Sequence, residues 1–325
     1  MAGLARAARH EGDAAARAGL SDSQAEHFPR RLWGVLAGLA VVWGLNWPAM
    51  KIALTEVPPW TFRALCLVLG SVVLVTALRA GGDRLRLPPR GQWWRVIVIG
   101  FLNITLWNIL IAFGLTLVPA GRGAMLAFTM PALAVPLSIW LLHERATPRK
   151  LLGLVLGLGG IALLMGESLA DVGNAPAGAL MILGAAASWA LGSVLHKRYP
   201  TDLPVASFTV WVMVCAGLPM IAASALFEDW GTLATVGLAA WGGVAYNVFL
   251  SFGWAHWAWF KIATDVPISV FSICILLVPV IGVMSGMMVL GERPSWAEYS
   301  ALLLVVMSVA TVMVPSRVSR GTRNA

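Results

Sequence analysis

The sequence predicts an all-α polytopic membrane protein, with ten transmembrane helices arranged as two inverted five-helix repeats around a central cavity. Three observations predict it. The 325 residues are 59% hydrophobic and only 12% charged, about half the charge of a soluble domain. Beyond residue 31 the chain is a succession of apolar segments, each near the roughly 20 residues that span a hydrocarbon core of about 30 Å. A nine-residue run, Trp43-Gly44-Leu45-Asn46-Trp47-Pro48-Ala49-Met50-Lys51, recurs as Trp189-Ala190-Leu191-Gly192-Ser193-Val194-Leu195-His196-Lys197. An indole opens each copy and a lysine closes it, the pattern of a duplicated membrane protein with a site between the halves.

Residues 1–31 mix Ala and Arg with Glu11, Asp13, Asp22 and Glu26 and contain no apolar h-region, so they read as a disordered cytoplasmic tail rather than a cleaved signal peptide. The first repeat, 32–167, is expected to carry helices over 32–54, 60–78, 94–117, 123–142 and 150–166. The second, 176–315, carries them over 177–198, 205–227, 239–262, 267–290 and 297–315, and 316–325 form a further cytoplasmic tail. Proline and glycine punctuate the boundaries: Pro58-Pro59, Gly81-Gly82, Pro88-Pro89, Pro119, Pro148, Pro176, Pro200, Pro204 and Pro294.

Lysine and arginine set the orientation. With the amino terminus inside, 19 of the 23 basic residues fall on the cytoplasmic side, and only Lys51, Arg63, Arg122 and Arg293 on the other. The net charge of +8 is therefore topology, not a nucleic-acid surface. Both termini are expected in the cytoplasm of a plasma (inner) membrane. Cys66, Cys215 and Cys274 lie singly in apolar segments and read as small hydrophobic side chains. No metal-ligand spacing and no cofactor motif is present, and no cofactor is expected.

The duplication extends beyond the opening run. A shift of 146 residues lays Trp43 on Trp189, Lys51 on Lys197, Pro58 on Pro204 and Ala112 on Ala258. A shift of 148 lays Pro131 on Pro279 and Glu144-Arg145 on Glu292-Arg293. Five helices per repeat is an odd number, so the halves must be inverted relative to each other.

Trp43-Gly44-x-Asn46 followed by Lys51 and Arg63, Ala187-Ser188-Trp189-Ala190-Leu191-Gly192, and the helix-end motifs Glu144-Arg145 and Gly291-Glu292-Arg293 resemble the EamA-type branch of the drug/metabolite transporter superfamily. Within it, the tryptophan-rich interior and the lack of mid-membrane lysines are most similar to YddG-like exporters of aromatic amino acids. The resemblance implies an uncleaved ten-helix inner-membrane exporter whose central cavity opens alternately to either side.

Polar residues at helix midpoints are the candidates for the cavity, because they cost free energy unless they face a partner or water. Trp43, Asn46 and Trp47 share the first helix, Asn103 and Trp107 the third, Trp189 and Ser193 the sixth, and Tyr246, Asn247, Ser251 and Trp254 the eighth. The competing reading for the tryptophans is packing, and for the asparagines interhelical glue worth about 0.6 to 2 kcal/mol. Trp33, Trp60, Trp93, Trp94, Trp230 and Trp296 fall at helix ends and read as interfacial anchors. Lys51 is expected to act structurally or as a gate. Arg63 and Arg122 flank the outer mouth, where Glu56 is an available partner. His256 reads as a satisfied core histidine. Pro131 and Pro279, at matched mid-helix positions, each delete a backbone hydrogen bond and supply either paired hinges or static bends. Gly153-x-x-x-Gly157-x-x-Gly160 marks a close helix–helix face, within the fold or between protomers.

An aromatic, uncharged cavity suits a small-molecule zwitterion with a large apolar side chain and suits a phosphate dianion poorly. No Asp or Glu lies near the middle of any predicted segment, which disfavours coupling through a buried carboxylate. The alternative of the same superfamily is an exporter of cationic drugs or other amphipathic metabolites. An intramembrane enzyme would need a GxSxG elbow, HExxH or paired aspartates at membrane depth, and the sequence has none. A receptor or scaffold leaves the duplication unexplained.

Overall fold

The computed structural model describes residues 30–170, 175–258 and 268–313. Residues 1–29 of the predicted amino-terminal tail, the carboxy-terminal tail, Lys261 and the junction of the eighth and ninth predicted helices lie outside them, while Arg30 and Arg31, placed in the tail by the sequence, open the first helix. Among the described residues the structure is helical, without strands. Ten runs are numbered as α1 (Arg30–Ala53), α2 (Pro59–Ala80), α3 (Arg90–Leu117), α4 (Ala120–Leu142), α5 (Pro148–Ala170), α6 (Ala175–Arg198), α7 (Val205–Phe227), α8 (238–258), α9 (Ile268–Leu290) and α10 (Trp296–Met313). Seven helices, those of α1 to α7, are long and apolar enough to cross a membrane, and α9 and α10 contribute shorter apolar stretches.

The prolines act as their chemistry requires. Pro59 and Pro148 stand in the first turns of α2 and α5, where a missing N–H costs nothing. Pro131 divides α4: the helix stops at Ala127, turns through Phe128 and Thr129, and resumes at Met130. Pro279 is accommodated within the described length of α9.

Two π-helical runs carry no signature in the sequence. Both α3 and α8 widen into π-helical runs, over Phe101–Leu106 and Tyr246–Ala255. The 146-residue shift lays 101–106 on 247–252, inside the second run. Such π turns are rare and frequently mark functional positions.

Packing places α1 against α4, α8 and α9, and α6 against α3, α4 and α5. Helices α2 and α7 pack together, and α5 lies along α10. The glycine face of α5 is spent inside the fold. A Cβ on Gly157 would collide with Ala132, and one on Gly153 or Gly160 with Val312 or Val305 of α10. Ser308 adds a hydroxyl bond of 2.5 Å to the Gly153 carbonyl. Close backbone approach of this kind replaces the hydrophobic drive that lipid cannot supply. The remaining apolar surface, including Trp140, Leu226, Phe227 and Met288, faces outward, as a lipid-facing wall requires.

Candidate functional site

At the α3–α6 contact, the indoles of Trp107 and Trp189 lie with centroids 4.9 Å apart, tilted by 58°. Beside them Asn103 Nδ2 reaches Ser193 Oγ at 3.4 Å, while Asn103 Oδ1 lies directly over Gly192, in space that any Cβ there would occupy. Ser188 Oγ donates to the Leu102 carbonyl at 2.7 Å. The structure thus brings Asn103, Trp107, Trp189 and Ser193 together from two helices. Gly192 is what admits the Asn103 amide.

The α1–α8 contact carries the second group. Trp43 meets His256 edge-on at 6.4 Å, and the His256 ring stacks on Phe252 at 5.5 Å. Its Nδ1 lies 2.8 Å from the Ser251 carbonyl. Trp254 packs over Gly38, and Tyr246 Oη donates to the Val42 carbonyl at 2.8 Å. Asn247 is fully buried and donates through Nδ2 to Gly243 at 3.0 Å, and Ser251 is buried one turn on. Asn46 is half-buried on α1. Trp47 sits elsewhere, in core packing between Gly123 of α4 and Gly282 of α9.

The basic residues have partners that the sequence did not disclose. Lys51 Nζ caps the end of α3, donating to the carbonyls of Leu115 at 2.5 Å and Val118 at 2.8 Å. Arg63 is 2% exposed and does not pair with Glu56. It donates to the Asn108 carbonyl at 3.0 Å and toward Met50 Sδ at 3.1 Å, and lies over the Phe62 ring, tying α1, α2 and α3. Arg122 pairs with Glu298 at 2.7 Å, both side chains nearly buried.

Carboxylates at the same end close the starts of other helices, where unpaired N–H groups and the helix dipole favour negative charge. Glu228 accepts from the Trp60 and Thr61 amides of α2 at 2.9 and 2.7 Å. Glu292 accepts from the Ala120 and Gly121 amides of α4 at 2.5 and 2.9 Å. Glu56 accepts from Gly237, which precedes α8, at 2.6 Å. A cleft of about 130 Å³ bordered by Arg122, Met125, Val283 and Glu292 lies here. It is well short of the roughly 300 Å³ at which ligand pockets begin.

At the opposite end Glu144 takes Lys150 at 2.6 Å and Lys197 at 2.5 Å. Those two ammonium groups pull its carboxyl down from 4.5 to about 2. A carboxyl depressed by folding contributes stability that is complete above about pH 4.5 and is lost as pH falls toward 2. The difference in melting temperature between the protein and its Glu144→Gln variant is therefore expected to shrink over that window. A difference that is constant with pH in detergent melts contradicts the pairing.

A helical bundle with apolar outer walls, aromatic and amide groups inside and ion pairs at its ends is the build of a membrane transporter. The model of the EamA-like transporter family matches residues 32–166 and 176–314, and the chain belongs to that family, within the drug/metabolite transporter superfamily. Over 79% of its length it is 26% identical to the uncharacterized transporter YoaV of Bacillus subtilis (strain 168), covering 88% of that protein. It is also 26% identical to a probable amino-acid metabolite efflux pump of Escherichia coli (strain K12), over 84% of this chain and 92% of the other. A protein of known crystal structure, 24% identical, superposes with a TM-score of 0.61 over 85% of this chain and 94% of that one, a likeness of fold alone.

Proposed function

We propose that this chain is an inner-membrane exporter of aromatic or other hydrophobic amino acids. In this reading the two five-helix repeats are inverted about a central site and expose it alternately to either side, with both termini in the cytoplasm. The observation that carries the substrate class is the Trp107–Trp189 pair with Asn103 and Ser193 beside it. Paired indoles offer faces and edges to an apolar ring, and neutral amides and hydroxyls orient a zwitterion without the desolvation cost of a fixed charge. The name of the Escherichia coli relative, a probable amino-acid metabolite efflux pump, supports the same class. Matched π runs in α3 and α8, and the matched packing of α6 on α3 and α1 on α8, support the inverted arrangement.

The ends supply the gates. Lys51 and Glu292 together hold the α3–α4 connection from both sides. Their counterparts under the repeat shifts, Lys197 and Glu144, bond each other. The Pro131 break gives α4 a point of flexure, and Pro279 is its counterpart on α9.

Counterflow of labelled phenylalanine or tryptophan in proteoliposomes tests the reading. Flux is expected without an imposed proton gradient, since no Asp or Glu of the described residues lies among the central groups. Trp43→Ala and Trp189→Ala are expected to reduce it more than Trp60→Ala at equal expression. Strict dependence on the gradient, or equal loss in all three variants, contradicts it. Counterflow of quaternary ammonium compounds with none of amino acids would assign a cation exporter instead.

A further inference from the structure

Among the described residues four buried side-chain atoms lack a hydrogen-bond partner: Arg95 Nε and the amide oxygens of Asn46, Asn103 and Asn247. Roughly 90% or more of buried polar groups are paired, so three orphaned acceptors of one chemical type, on α1, α3 and α8, need a reason. Two of them stand at one level of one contact. A Cβ on Gly243 of α8 would meet the Ala49 carbonyl and the Ala53 backbone, while Tyr246 bonds the Val42 carbonyl and Trp254 covers Gly38. The helices are therefore antiparallel, and α8 packs on the face of α1 formed by Val42, Asn46, Ala49 and Ala53, spaced i, i+4, i+7 and i+11. Asn247 follows Gly243 by four residues and comes level with Asn46. Its NH₂ is committed to the Gly243 carbonyl, which turns its oxygen away from that bond. Neither amide oxygen accepts from the other residue.

Two buried acceptors without a donor between them describe half of a site. We propose that Asn46 Oδ1 and Asn247 Oδ1 form the subsite for the ammonium group of the transported molecule. Asn103 Oδ1, on the other π run and against Gly192 of α6, is a third orphaned acceptor at the second contact. An ammonium brings three N–H donors to such oxygens as charge-assisted bonds, and Trp43 stands one turn from Asn46 on the same helix. A carboxylate in the same place would set acceptor against acceptor. The inference rests on the transport reading and sharpens it: the required substrate feature is a free amine, and the carboxylate binds elsewhere.

Calorimetric titration of the purified protein in detergent with 2-phenylethylamine and 3-phenylpropionate tests this independently of flux, and each compound is then used against phenylalanine counterflow. The amine is expected to bind and compete, the acid at least about tenfold more weakly. Asn247→Leu is expected to weaken amine binding about tenfold or more, and Asn46→Asp, which keeps the shape and adds a negative charge, to strengthen it. Acid binding equal to amine binding overturns the subsite, as does an unchanged amine affinity in Asn46→Asp, the variant that carries the test should Asn247→Leu not fold. No binding of the amine by the native protein overturns it as well. Amine binding that follows these changes without any phenylalanine counterflow keeps the subsite and rejects the transport reading. Counterflow blocked by the acid and not by the amine does the reverse.

Discussion

Glu298→Gln is expected to destabilise the protein by about 3–5 kcal/mol, the usual cost of breaking a buried ion pair from one side. Glu298 carries two loads at once. Its Oε1 accepts from Arg122 Nε at 2.7 Å, with both side chains 7% exposed. Its Oε2 accepts from the Ser295 amide at 2.9 Å while Ser295 Oγ accepts from the Glu298 amide at 3.1 Å, a reciprocal capping box that starts α10. Neutralising the carboxylate leaves the Arg122 guanidinium buried at 6% exposure without the negative charge at its Nε. Replacing both partners together, Arg122→Met with Glu298→Leu, is expected to recover most of the loss, because two matched apolar side chains avoid the desolvation of either ion. Thermal unfolding of Arg122→Met, Glu298→Leu and the double variant in one detergent makes the comparison. A double variant as unstable as the sum of the singles would show that the pair is not energetically coupled.

The capping box has a local signature, since Ser295-x-x-Glu298 after Pro294 carries the required residues at the required spacing. The Arg122 partner has none. It is 176 residues away in sequence, and a positive charge near a helix end is compatible with any carboxylate on the same side of the membrane. For the same reason Glu56, a natural guess for Arg63, proved to serve Gly237. Helix ends were legible because prolines act locally, through a missing N–H and a fixed φ. The π runs had no such signal. Their i→i+5 bonding leaves no mark in residue type, and Phe101–Leu106 contains neither proline nor glycine. Spacing within single helices put Asn103 with Trp107 and Trp189 with Ser193. That the two pairs meet is a fact of packing, decided by Gly192 leaving room for an amide.

Proline illustrates the same division from the other side. Its chemistry forecast a lost hydrogen bond at both Pro131 and Pro279, and the sequence spacing made the two equivalent. The outcomes differ: α4 breaks into two segments, whereas α9 continues through its proline. A two-fold repeat in sequence does not oblige the two copies to hold the same conformation at one moment, and the alternating access proposed above requires that they do not.

Lys51→Met is the variant in which that requirement meets its largest test. Lys51 Nζ holds the carbonyls of Leu115 and Val118, and Glu292 holds the amides of Ala120 and Gly121, so two side chains of opposite charge clasp one connection. Hydrogen bonds to charged groups are worth about 1.5–3 kcal/mol each, and every 1.4 kcal/mol is tenfold in a population. Losing the lysine contacts is therefore expected to favour the conformation open at this end by tenfold or more. The measurement is thiol labelling in a background with Cys66, Cys215 and Cys274 replaced by alanine. A cysteine at Val118, 1% exposed with the clasp closed, should react at least about tenfold faster in Lys51→Met than in the parent. A cysteine at Leu141, beside Arg198 at the opposite end, should react more slowly in the same variant, since in the proposed alternating access opening one end closes the other. Faster labelling at both positions would identify Lys51 as a static helix cap whose loss merely loosens the bundle, and the gating role would be lost with it.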